Sequence, residues 1–140
     1  MKQVVTTILL FFLAQSSFGQ TNYLDKGNQQ LGDENFVGAE RTFREAIKSD
    51  TANLVYQNQL ALSLSKQKKH RDAQEILDKV LATDSTNIGA LWYAGTNNYS
   101  DKNSDLRTAI KYFEKVLPLL EEGQGQYYSA NWFIGRSYQI

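Results

Sequence analysis

A spacing constrains the fold of this chain more than any other feature. SDTAN at 49–53 returns as TDSTN at 83–87, an offset of 34. The segments ahead of them return at the same offset. GAERTFREAIKSD (38–50) lies over RDAQEILDKVLATD (71–84), with Ala39 on Ala73, Phe43 on Leu77, Ala46 on Val80 and Ile47 on Leu81. A third copy, DLRTAIKYFEKVLPLL, supplies Ala109, Phe113, Val116 and Leu117 at a further offset of 36. Self-similarity of this kind marks stacked repeats, in which each unit buries its apolar face against its neighbours.

Small residues recur between these segments. Gly27, Ala61, Gly95 and Gly135 fall at spacings of 34, 34 and 40. A small side chain there lets two helices approach closely, since a larger one would hold the backbones apart. Apolar residues recur at intervals of 3 or 4, as in Leu60/Leu64 and Leu77/Val80/Leu81, which is helical periodicity. Asp/Ser/Thr/Asn clusters at 50–53, 84–87 and 103–105 suit helix N-caps, because their side-chain oxygens accept orphan N–H groups. The chain therefore reads as alternating helices of about 12–14 residues joined by short turns.

A helix-turn-helix unit with this period and this pattern resembles the tetratricopeptide repeat (TPR). The pattern of that family has an aromatic or Leu, then Gly or Ala, then Ala, an aromatic or Leu, and Ala. Repeat one (20–53) matches it with Tyr23, Gly27, Ala39, Phe43 and Ala46. Repeat two (54–87) offers Gln57, Ala61, Ala73, Leu77 and Val80, and repeat three (88–125) offers Leu91, Gly95, Ala109, Phe113 and Val116. Residues 126–140 align as the first helix of an incomplete fourth repeat. The resemblance implies an all-α fold: a right-handed superhelical stack of antiparallel helix pairs, three repeats plus one extra helix. The departures are local. Thr51 and Ser85 replace a frequent Pro, Gln57 is polar where the family is apolar, and NYSDKNS lengthens the third inner turn by two. Pro118 is expected to end or kink its helix, since it donates no N–H and clashes with the preceding turn.

The N-terminus, MKQVVTTILLFFLAQSSFGQ, reads as an export signal over 1–19. Lys2 is its positive end, Val4 to Ala14 its apolar stretch, and Ser17 and Gly19 the small residues before a cleavage site. A stretch of eleven residues is too short to span a hydrocarbon core, which needs roughly 20. No Cys is present, so disulfides, thiolate metal sites and a lipid-modified cysteine are all excluded. The expected location of 20–140 is the periplasm or the exterior of a bacterium, without stable membrane insertion after cleavage. Beyond residue 19 the chain carries 14 basic and 15 acidic groups, too balanced to steer nucleic acid.

Catalytic chemistry is not expected. An enzyme needs a nucleophile with its base, a carboxylate pair in a cleft, or a metal cluster. His70 is the only imidazole, and it falls where the family often packs an aromatic between the two helices of a repeat. GQG at 123–125 lacks the strand and the GK[ST] of a phosphate loop, and reads as a flexible joint. KQKKHR at 66–71 reads as a solvated turn. No cofactor and no metal are expected.

By resemblance, the first helices of the repeats line a concave groove for a protein or peptide partner. The positions facing it are Leu24, Asn28 and Leu31 in repeat one and Val55, Asn58, Leu62 and Ser65 in repeat two. Trp92, Thr96 and Tyr99 follow from repeat three, and Trp132, Arg136 and Gln139 from the last segment. Trp, Tyr and Arg often carry binding energy, and an Asn amide offers both a donor and an acceptor to a peptide backbone. Trp92 and Trp132 have an alternative role, filling space between adjacent repeats. Some family members grip a C-terminal carboxylate through a Lys/Asn clamp. The matching positions carry Leu24, Asn28, Gln59, Gly89 and Tyr93, of which only Asn28 fits, so a chaperone-tail adaptor is not expected.

SANWFIGRSYQI, at the end of the sequence, is apolar around most of its circumference when wound as a helix. Repeat stacks normally end on a helix with a polar outer face. Two readings follow. The chain is the N-terminal arm of a larger cell-envelope protein with peptidoglycan-binding, sensor or secretion-assembly activity beyond Ile140, or its last helix packs sideways or dimerises. The leading expectation is an exported, non-catalytic interaction module, and the arm of a larger envelope protein is its alternative.

Overall fold

The computed structural model describes residues 22–138, so the stretch read as an export signal, 1–19, and the groove candidate Gln139 lie outside the described residues. Those described contain seven α-helices, a short 3-10 turn and no strand. The helices are α1 (22–32), α2 (Phe36–Ser49), α3 (Leu54–Lys66), α4 (His70–Thr83), α5 (Ile88–Ser100), α6 (Leu106–Val116) and α7 (Gly125–Ser137). They stack as antiparallel pairs, α1/α2, α3/α4 and α5/α6, with α7 against α6, in a right-handed α-solenoid. Each pair also packs on the next, α2 on α3 and α4 on α5, and the first helices α3 and α5 touch directly.

The recurring pentapeptide explains how the helices start. In SDTAN, the Asn53 side chain accepts from the N–H groups of Val55 and Tyr56 at 3.1 and 3.2 Å, while its own amide donates to Asp50 at 3.2 Å. TDSTN repeats the device: Asn87 accepts from the Ala90 N–H at 3.0 Å and donates to Asp84 at 3.2 Å. Asn35 caps α2 and Asp105 caps α6 in the same manner. Each side chain satisfies backbone donors that a helix leaves unpaired in its first turn. At the far end, α6 stops at Val116 and the Pro118 segment forms the 3-10 turn Leu117–Leu119.

The core is built by pairing small with large. Phe43 of α2 is fully buried on Gly27 of α1, where a Cβ would sit 2.3 Å from the ring. Phe113 of α6 covers Gly95 of α5 in the same way, with 2.7 Å to a hypothetical Cβ. In the middle repeat Ala61 stands for the Gly and Leu77 for the Phe, both with no exposed surface. A larger small residue is thus matched by a smaller large one, which conserves volume in a close-packed interior. Burying each Phe or Leu contributes roughly 1.5–3 kcal/mol. Gly135 departs from the expectation of a close approach: it is exposed, and nothing lies within 4 Å of a Cβ built there. Its counterpart would be a second helix of a fourth repeat, and none is among the described residues.

Polar seams join the repeats where the periodicity showed only polar residues. Gln67 donates to the Phe36 carbonyl, the Ser63 carbonyl and Glu40, tying the end of α3 to the start of α2. Glu40 also receives Lys69 at 2.8 Å and Arg44 at 2.9 Å. Burial alone would raise the pKa of Glu40, but hydrogen bonds from Lys69, Gln67 and Arg44 outweigh it and bring the carboxyl down to about 2. Between repeats two and three, Gln74 accepts from Asn98 at 2.7 Å and donates to Asp78 and Tyr112. His70 differs from its expected place between the helices of its own repeat. Its Nδ1 reaches across to Asn97 Oδ1 of α5 at 2.9 Å, and Asn97 returns a bond to the His70 carbonyl. The KQKKHR turn is only partly solvated, since Gln67 is held by its three bonds and Lys69 by Glu40.

Candidate functional site, the groove between the first helices

Two clefts open between α3 and α5, and they meet at Tyr93. One, at the cap end, is lined by Val55, Asn58, Gln59, Tyr93, Ile88, Gly89 and the turn residues Asp84, Thr86 and Asn87. The other is lined by Leu62, Ser65, Lys66, Lys68, Trp92, Tyr93, Thr96 and Ser100. Of the residues expected to face a groove, the structure brings Val55, Asn58, Leu62, Ser65, Trp92 and Thr96 to this one place. They gather because α3 and α5 lie side by side, so equivalent positions of successive repeats become neighbours across the seam.

The other candidates sit elsewhere. Leu24 and Leu31 are half-buried against the core of the first two repeats and line neither cleft. Asn28 is exposed on α1. Tyr99 stands edge-on to Phe133 of α7, with ring centroids 4.8 Å apart. Trp92 is half-buried with its ring edge-to-face on Phe113 and Phe133, and it also lines a cleft. Trp132 is 54% exposed, and the Arg136 guanidinium lies 5.2 Å from the centre of its ring, a cation–π contact.

Asn58 is a correction. It was expected to offer a peptide both donor and acceptor, yet it is only 7% exposed and its amide donates to Asn87 Oδ1 at 2.9 Å. Only its carbonyl oxygen is left without a partner, and the Gln59 carbonyl oxygen is in the same state. Burial raises the pKa of the Tyr93 hydroxyl against an opposing hydrogen bond from Gln59. Gln59, Gly89 and Tyr93, which fail as clamp residues, are thus the floor of the groove. The signal for them was the register: Gln59 and Tyr93 stand one residue beyond the expected groove stripe on their helices, and Gly89 falls on that stripe, 34 residues after Val55.

Among the described residues no group of three His, Cys, Asp or Glu could hold a metal ion, and no helix is long and apolar enough to cross a membrane.

Solved structures with this architecture include TPR domains. The first TPR of Spaghetti (RPAP3), bound to the HSP90 peptide SRMEEVD, superposes with a TM-score of 0.73 at 20% identity, covering 88% of this chain and 93% of that one. The TPR2B domain of yeast Sti1, in complex with an Hsp70 peptide, gives 0.75 at 14% identity over 87% and 98%. The MamA protein gives 0.66 at 24% identity over 86% of this chain and 63% of that one. At these identities the likeness is one of fold: the chain has the TPR fold. No protein-family model and no curated protein matches the sequence.

Proposed function

We propose that this chain is an exported, non-catalytic interaction module that takes a peptide segment of a protein partner into the groove between α3 and α5. The observation that carries the reading is the pair of clefts meeting at Tyr93, where apolar, aromatic and polar side chains converge on one strip. Solved neighbours of the same fold were captured with peptides. Export is supported by the residues of 1–19 alone.

Photo-crosslinking tests it. The chain is expressed in a bacterial host with its own leader, carrying a benzophenone amino acid at Leu62 in the groove or at Lys79 on the second helix of the same repeat. The expected result is a discrete cross-linked band from the cell envelope at Leu62 and little at Lys79. Equal labelling at both positions, or none, contradicts the proposal.

A further inference from the structure

We infer that the cap-end cleft is a pocket for a basic side chain of the bound peptide, an arginine or a lysine. The inference rests on the proposed peptide-binding role of the groove and names the chemistry of one subsite within it.

The orientation of two amides comes first. Asn87 must present its oxygen to the Ala90 N–H at 3.0 Å and its nitrogen to Asp84 at 3.2 Å, because the cap needs an acceptor and the carboxylate needs a donor. Asn58 therefore has to approach Asn87 Oδ1 with its nitrogen, at 2.9 Å. Gly89 makes room for that approach, since a Cβ there would sit 2.8 Å from Asn58 Nδ2. The network thus fixes the Asn58 carbonyl as a spare acceptor, and it is buried without a partner. The Gln59 carbonyl beside it is a second. Buried polar atoms are nearly always hydrogen-bonded, so two orphan acceptors in adjacent residues lining one cleft point to a donor that arrives from outside and reaches them as the side chains covering them move aside.

Charge points the same way. Asp84 accepts from the Thr86 N–H and hydroxyl and from Asn87, yet no cation among the described residues forms an ion pair with it. The cleft it lines contains no Lys, Arg or His. Asp84 is the one charged residue of the lining, so a carboxylate entering here would meet like charge. A guanidinium brings five donors and an ammonium three. Val55 and Ile88, 51% and 41% exposed, offer apolar walls for the methylene stem, and the Tyr93 ring offers a face for the cation.

The test is selection from a phage-displayed random dodecapeptide library on the immobilised full chain, followed by affinities of the recovered peptides. The expected result is enrichment of one fixed Arg or Lys. Replacing it by norleucine should weaken binding at least tenfold, and Asp84→Asn or Val55→Lys should do the same to the parent peptide. Val55→Lys changes an exposed residue and should melt close to the parent, so it carries the test; Asp84→Asn keeps an oxygen for Thr86 but turns an amide nitrogen on Asn87, and counts only if its melt matches the parent. Binders that compete at the groove but carry no required basic residue overturn this inference and leave the peptide-binding role standing. Failure to select any binder overturns both.

Discussion

Glu40 shows how much a single residue holds. Its carboxylate gathers Lys69, Gln67 and Arg44 at the junction of the first two repeats. Because the folded pKa lies near 2 and the ordinary value is 4.5, the stabilisation is fully present above pH 4.5 and is lost as pH falls towards 2. Glu40→Gln is therefore expected to lower the melting temperature at pH 7 and to flatten its decline between those two values. Melts across the acid range check this, and a parallel decline in both proteins would contradict it. At this scale the sequence was partly legible. The Asp and Asn of SDTAN and TDSTN announced helix caps, because capping is a local act of one side chain on nearby N–H groups. Glu40, Gln67, Gln74 and Asn98 announced little, because their partners on other helices lie 24 to 38 residues away and are chosen by how the helices stack. Glu34 and Lys68, in equivalent turns of successive repeats, adopt φ of 58° and 65° without the glycine that such backbone favours, so no residue marked them.

Pairs of helices obey one rule, a small residue under a large one, and the rule gives opposite signs at equivalent positions. Gly27→Ala puts a methyl inside the Phe43 ring contact and is expected to cost about 1–3 kcal/mol by overpacking. Adding Phe43→Leu recreates the Ala61/Leu77 pair of the middle repeat and should restore much of the loss. Gly135→Ala meets nothing within 4 Å and should gain up to about 1 kcal/mol from helix propensity. Urea melts of the three variants check the pattern; equal losses at Gly27 and Gly135 would contradict it. The repeat spacing made the helices and their apolar faces readable, since periodicity is a property of one element. It showed an incomplete fourth repeat but not which side chains of α7 stay exposed, because an element's exposure depends on its neighbours. The open face of α7, with Trp132 and Tyr138 exposed beside Gly135, follows from that difference.

For the whole molecule, stacking converts a sequence period into a surface. Residues remote in sequence, Val55 and Ile88 or Leu62 and Thr96, become opposite walls of one groove. The stripe of candidate residues was legible from helical periodicity in register with the repeat. Which of them would be consumed by packing was not, because Leu24, Leu31 and Tyr99 are claimed by contacts between elements. Backbone amide shifts of the labelled chain, titrated with a library-selected peptide, test the groove most directly. The expected perturbations run through Val55, Leu62, Tyr93 and Thr96 on α3 and α5, leaving Lys79 and Glu114 on the second helices unmoved. Shifts that map to α4 and α6 instead would contradict a binding groove between the first helices.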